Sequence, residues 1–149
     1  MIAAIALFPT KPFPQCVQPF EVGSWTNIDP NTGGITRIQV DFCCSDVVLC
    51  SVDENGNVSC SSSCPAPFKV HLWGKCHPSD CDWGAVNGND YFGTGGTRWI
   101  YGYYDQGFAK RYVYLKQSTL HPGDLFMWMY TDFTDPHRAD YVLTNWFHH

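Results

Sequence analysis

The stretch that decides the fold is RWIYGYYDQGFAKRYVYLK, residues 98–116. It divides into two runs, 98–105 and 108–116, around the turn formers Asp105, Gln106 and Gly107. Aromatic and β-branched side chains crowd both runs, as a pleated strand favours, and neither run spaces its apolar residues like a helix. A break this short between two strands reads as a hairpin. Trp99, Tyr101 and Tyr103 fall on one face, with Ile100 and Tyr104 on the other. Both faces are apolar or aromatic, so periodicity does not say which one turns inward.

The same grammar continues outward in both directions. Further strand candidates are residues 23–28, 35–42, 68–75, 83–88, 125–133 and 140–147, separated by DPNTGG, NDYFGTGG, HPGD and TDPHRA. In 35–42, Ile38, Val40 and Phe42 oppose Arg37, Gln39 and Asp41; in 68–75, Phe68, Val70 and Leu72 oppose Lys69, His71 and Lys75. Eight strands joined mostly by short loops predict an all-β, antiparallel up-and-down meander. Closure into a barrel would remove its sticky edges. A chain of 149 residues is one domain on the usual prior. The barrel is placed at 22–149, with a Cys-rich insertion at 43–67 and an N-terminal arm at 1–21.

Composition narrows the function classes. Aromatics make up 16% of the chain and charged residues 15%, the latter well below the roughly 25% norm. A net charge of −5 with no Lys/Arg cluster argues against nucleic acid and anionic membrane surfaces. Eight cysteines are a heavy load for a reducing compartment, so a secreted, extracellular or cell-surface protein with all thiols oxidised is expected. The sequon at Asn57 fits a secreted surface loop.

The insertion carries its own hairpin signal, VDENGNVS, with Asn55-Gly56 at the turn. Counting out from that turn sets Cys50 nearly opposite Cys60, and a disulfide between them is expected. Cys64 then joins Cys43 or Cys44, and Cys16 takes the other. Cys76 and Cys81 bracket HPSD and are expected to close a tight turn as a disulfide. A zinc site there would need a second ligand pair that the sequence lacks. DENGN starts like a calcium loop, but Val58 stands where glycine is required and Cys64 where glutamate is. No metal or cofactor is expected.

The chain opens MIAAIALFPTKPFPQ, residues 1–15: an apolar run from Ile2 to Phe8 that leads into three prolines. A signal peptide would want a basic start, and a membrane span about 20 apolar residues. The remnant of a signal is one reading. A second takes the segment as a strand on a proline-stiffened tether, with Ile2, Ile5, Leu7 and Phe8 buried in a neighbouring copy, and a third folds the arm back over its own barrel, filling a groove or capping an end. Head-to-tail contacts of the second kind build filaments.

Two resemblances follow from quoted residues. GSWTN, 23–27, resembles the G-x-W start of avidin and lipocalin-like barrels, where the Trp plugs one barrel end under a late Arg; Arg138 is the candidate. GSWTNIDPNTGGITRI with VHLWGKCHPSDCDWG, 70–84, is similar to small secreted bacterial domains of unknown function with a C-x-P-x-x-C-D-W-G loop. That resemblance spans roughly 22–147 and implies a β-barrel with no activity to carry over.

No G-x-S-x-G elbow, H-E-x-x-H or P-loop is present, and no enzyme is expected. The leading expectation is a structural β-barrel that assembles with itself by strand donation. The alternative is a binding module for carbohydrate or a small apolar ligand, with Trp73, Trp83 and Trp99 as ligand contacts. Because aromatics dominate core burial, four of Trp73, Trp83, Trp99, Trp128 and Trp146 are expected in the core. The final His148-His149 pair is either a tag remnant or native tail.

Overall fold

The computed structural model describes residues 16–44, 48–62 and 64–149. Among them are ten strands: β1 Gly23–Asn27, β2 Ile35–Phe42, β3 Val48–Val52, β4 Val58–Ser62, β5 Phe68–Gly74, β6 Cys81–Phe92, β7 Arg98–Asp105, β8 Ala109–Gln117, β9 Leu125–Phe133 and β10 Tyr141–His148. Eight of these close into an antiparallel barrel in the order β1-β2-β5-β6-β7-β8-β9-β10, with β10 returning to β1. Chain order is neighbour order, so the barrel is an up-and-down meander. The β3–β4 hairpin is a separate two-stranded sheet inserted between β2 and β5. The only helical element among the described residues is a 3-10 turn at Thr94–Gly96.

The inside is aliphatic. Ile38, Val40, Val70, Leu72, Ile100, Val113, Leu115 and Met127 are each completely buried. Burying such side chains gives roughly 1.5–3 kcal/mol apiece before ordering costs. In β7, Ile100 and Tyr104 point inward, while Trp99, Tyr101 and Tyr103 point out. The expected core tryptophans are therefore corrected. Trp73, Trp83, Trp99, Trp128 and Trp146 are all only partly buried, and the fully buried tryptophan is Trp25. Small barrels fill their lumen with one layer of side chains from each wall, and mainly aliphatic residues of β2, β5, β7, β8 and β9, with Trp25 and Phe147 of β1 and β10, already occupy it.

Strand β6 runs well past the expected 83–88. Its inward positions include Val86, which packs against the core opposite Val70, and Gly88 and Asp90, which pair with Gly102 and Ile100 of β7. A Cβ on Gly88 would lie 3.0 Å from Phe68 and Val70 atoms, so the wall needs glycine there, and its lack of apolar alternation disguises the strand. At its start, Asp82 faces Trp73 and Ala85 faces His71, so Trp83 and Gly84 bulge opposite Leu72, with Gly84 at φ +77°. In the inserted hairpin, Gly56 N donates to Asp53 O at 3.0 Å and Asp53 N to Asn57 O at 3.0 Å. The turn is thus centred on Glu54-Asn55, and Gly56 follows at φ 81° as the bulge residue.

All eight cysteines are paired. Cys50 lies opposite Cys60 in the β3–β4 register, and the two are bonded. Cys76 bonds Cys81 across the β5–β6 loop. The open alternative resolves as Cys43–Cys64 and Cys16–Cys44. Cys16–Cys44 fastens the chain leading into β1 to the end of β2, and residues 20–22 pack beneath the barrel: Phe20 and Val22 touch the core and Glu21 is buried.

The seam between β1 and β10 is short. Thr26 faces His148, Asn27 faces Phe147, and Ile28 N donates to Trp146 O at 3.0 Å. Backbone polar groups alternate sides along a strand. Those of Thr144 and Val142 therefore point to the same side as Trp146, where they have no backbone partner among the described residues.

Candidate functional site

The barrel has two unlike ends. At the lower end, β1 begins and β10 finishes. Trp25 Nε1 donates to Glu21 O at 2.9 Å, and the Trp25 ring stacks on His149 at 3.7 Å between centroids. The His149 ring also meets Ser24 O at 3.1 Å, so the last residue is built into this closure. Arg98 donates from Nη1 to both Glu21 oxygens at 3.1 Å and from Nε to Asp90 at 2.7 Å. Burial works against the guanidinium's charge, but Glu21 and then Asp90 outweigh it and hold the Arg98 pKa above its ordinary value. The Arg that serves the Trp end is Arg98, from the middle of the chain. Arg138 lies in the β9–β10 loop at the opposite end, its guanidinium 3.8 Å from the Phe133 ring.

The upper end is an open mouth. A cavity of about 410 Å³ lies between the β1–β2, β5–β6 and β7–β8 loops and the facing ends of β9 and β10. Trp83, Phe108, Met129 and Leu143 supply apolar wall, Lys75 stands at the rim, and the Cys76–Cys81 bridge forms one side. Trp83 lies flat on Gly74: a Cβ there would come within 2.8 Å of its ring. Beneath it, the Tyr104 hydroxyl donates to Val70 O at 2.7 Å, and burial pushes that hydroxyl's pKa up.

Arg111 also lines this mouth. It sits on β8 in phase with Ala109, Val113 and Leu115, and is only 7% exposed. Its Nε donates to Gln106 Oε1 at 2.7 Å, and Nη1 to Thr131 Oγ1 at 3.0 Å and Tyr141 Oη at 3.1 Å. The guanidinium carbon lies 4.5 Å from the Trp83 ring centroid. Every one of these partners is neutral. No carboxylate pairs with Arg111 among the described residues. Burial raises the Tyr141 phenol, but the Arg111 and Thr131 hydrogen bonds outweigh it and set its pKa below the ordinary tyrosine value.

The tryptophans named as ligand contacts are not brought together. Trp83 lines the mouth. Trp73 lies on the outer wall, stacked on His71 at 3.8 Å with the Arg37 guanidinium 3.9 Å from its ring. His71 in turn pairs with Asp82, whose pKa falls below the ordinary carboxyl value through that bond and one from Gly84 N–H. Trp99 lies on a different part of the outer wall. Asn57 is exposed beside the hairpin turn, where its Nδ2 donates to Asp53 at 2.9 Å. Ile2, Ile5, Leu7 and Phe8 lie outside the described residues.

Arg111 escaped the sequence reading, although a signal existed: a lone cation in phase with Ala109, Val113 and Leu115 marks an arginine aimed into the lumen. Among the described residues no cluster of His, Cys, Asp and Glu could hold a metal ion, and no helix is long and apolar enough to cross a membrane. The four disulfides are compatible with an oxidising or extracellular compartment. No family model, curated protein or solved structure matches the chain.

Proposed function

We propose that the protein is a secreted, non-catalytic binding module whose barrel mouth takes a small amphipathic anion. The observation that carries this reading is Arg111, a buried cation on the wall of a cavity of about 410 Å³ with only neutral partners. A buried guanidinium without a counter-charge is costly, and an entering anion would offset that cost. Its Nη2 makes no hydrogen bond among the described residues, so two charge-assisted N–H donors are unspent. The cavity volume lies within the usual range for small-molecule sites, and Trp83, Phe108, Met129 and Leu143 suit an apolar body behind the charged head. The four disulfides support the secreted assignment.

The test is titration with anilinonaphthalene sulfonate, an apolar fluorophore bearing one sulfonate. Saturable one-to-one binding is expected, weakened at least about tenfold in Arg111→Met, since a hydrogen bond to a charged group contributes roughly 1.5–3 kcal/mol. Equal affinity in the variant, or equal affinity for a neutral naphthalene, would refute the reading.

A second reading, assembly by strand donation, is favoured by the seam. The edge of β10 at Val142 and Thr144 offers backbone groups with no backbone partner among the described residues, and Val142 is 51% exposed. We assign residues 2–8 of a neighbouring copy as the strand that would pair there, extending the sheet without competing with a barrel strand. Light scattering of the intact protein and of a deletion of residues 1–10 decides it: assembly lost with the barrel still folded supports donation, and an intact monomer at high concentration rules it out.

A further inference from the structure

The outer wall of β6–β9 carries aromatic ladders in register. Tyr91 faces Trp99, and Tyr101 faces Tyr114, which faces Trp128. Within this wall lies a recess of about 310 Å³ lined by Tyr91, Trp99, Tyr114 and Trp128 alone, with no charged side chain in its lining. The rings do not form a flat platform. Tyr114 is the base, and the other three stand steeply against it. Tyr91 meets it at 68° and 5.3 Å, Trp99 at 83° and 6.2 Å, and Trp128 at 66° and 5.5 Å.

We propose that these four rings form an aromatic cage for a trimethylammonium group. Ring faces are electron-rich, and several faces turned toward one point attract a cation while their carbon edges accept its methyl groups. A sugar ring wants a flat face on which to lie, and this geometry does not provide one. Partial burial, then Tyr91 and Tyr112, keep the Tyr114 phenol above its ordinary pKa, so the base ring stays neutral. The wall already holds one cation: Lys116 Nζ lies 4.6 Å from the Trp99 ring and 5.9 Å from Phe126, in the neighbouring recess with Trp146. The net charge of −5 draws cations toward the protein. Position also fits, since the cage is on the outside of the barrel and independent of the mouth.

The trimethylammonium could be free choline or the headgroup of phosphatidylcholine, and the experiment separates them. Choline is titrated against intact protein by tryptophan fluorescence, beside its neutral tert-butyl isostere. Sedimentation with phosphatidylcholine vesicles forms the second arm. Saturable choline binding at least about tenfold tighter than the isostere is expected. Trp128→Leu keeps apolar contact but removes a ring face and should weaken choline about fivefold or more. Tyr91→Leu, at a wall residue 47% exposed, is the companion should Trp128→Leu fail to fold. Lys116→Met removes a like charge next door and should tighten choline. Arg111→Met should bind choline as the intact protein does, which keeps this outcome separate from that of the mouth. Co-sedimentation abolished by Trp128→Leu identifies the headgroup as the source; choline binding without co-sedimentation identifies the free cation. Equal binding of choline and isostere overturns the cage. So does binding of an oligosaccharide in place of choline, or self-association that hides the rings.

Discussion

Two arginines point into this barrel, and they are treated oppositely. Arg98, at the lower end, meets Glu21 and Asp90, and Glu21 is itself only 5% exposed at its side chain. Arg111, near the upper end, is more deeply buried and meets only Gln106, Thr131, Tyr141 and the Trp83 ring. Charge type and strand position are alike, since both stand in the inward phase of neighbouring strands β7 and β8. What differs is completion. The lower end is a finished closure, with charges paired, Trp25 bonded to Glu21 O and His149 stacked below it. The upper end leaves its cation unpaired beside a cavity. A buried charge that the protein neutralises is structural, and one that it leaves open is poised for something else.

Breaking the finished end should produce the largest effect. Glu21→Gln preserves shape and removes the principal counter-charge of Arg98. Losing one partner of a buried pair costs about 3–5 kcal/mol in full burial. Arg98 remains 34% exposed and keeps Asp90, so a loss of roughly 2–3 kcal/mol is expected, read from denaturant unfolding. A loss below about 0.5 kcal/mol would mean that the lower end is not held by this pair.

The unfinished end should respond differently. Arg111→Met exchanges an unpaired cation for an apolar side chain of similar reach. It gives up the hydrogen bond to buried Thr131 but also removes the desolvation penalty of the charge. Stability within about 1 kcal/mol of the intact protein is expected by the same measurement, even as affinity for an anionic probe falls. A loss as large as that of Glu21→Gln would make Arg111 structural and erase the contrast.

The same two residues show what the sequence could reveal. Strands 35–42, 98–105 and 125–133 were legible to the residue, because their alternation and flanking turn formers agree with the tertiary pairing. Half of β6 was not: 83–88 read as strand, but Asn89, Asp90, Tyr91 and Phe92 fell into the break NDYFGTGG and Cys81 and Asp82 into the bridged loop, and only pairing with β5 and β7 makes them strand. Strand faces were assigned correctly, but inside and outside were undetermined, since aromatic residues outside and aliphatic residues inside look alike to periodicity. Arg98 and Arg111 could be recognised as inward only once that choice was made. The Arg98–Glu21 pair joins residues 77 positions apart, and no spacing rule predicts such a contact. The mouth itself is assembled from three loops, each legible only as a turn, and from residues of four strands.

The smallest effect, and the sharpest test of the open end, is its response to pH. Tyr141 lies against Arg111, with Arg138 also lowering its pKa and Lys75 at the rim. Its folded pKa is below the ordinary value of 10.0. The linkage then has one sign. The stabilisation from its ionised form is fully present above the unfolded value and is lost as pH falls through the lower folded value. At neutral pH the phenol is uncharged and Arg111 is available to an anion. As pH rises, Tyr141 ionises earlier than an ordinary tyrosine, and the phenolate becomes the counter-charge that Arg111 otherwise lacks among the described residues. An anionic ligand must then displace it. Affinity for anilinonaphthalene sulfonate should fall about twofold at the Tyr141 midpoint and by up to about tenfold per further pH unit, if only the protonated form binds. The informative quantity is the difference from Tyr141→Phe, which keeps the ring and removes the titration. The intact protein should lose affinity at lower pH than this variant does. Identical alkaline profiles for the two proteins would show that the anion does not compete with Tyr141 for Arg111, and the mouth would then hold its ligand by apolar contact alone.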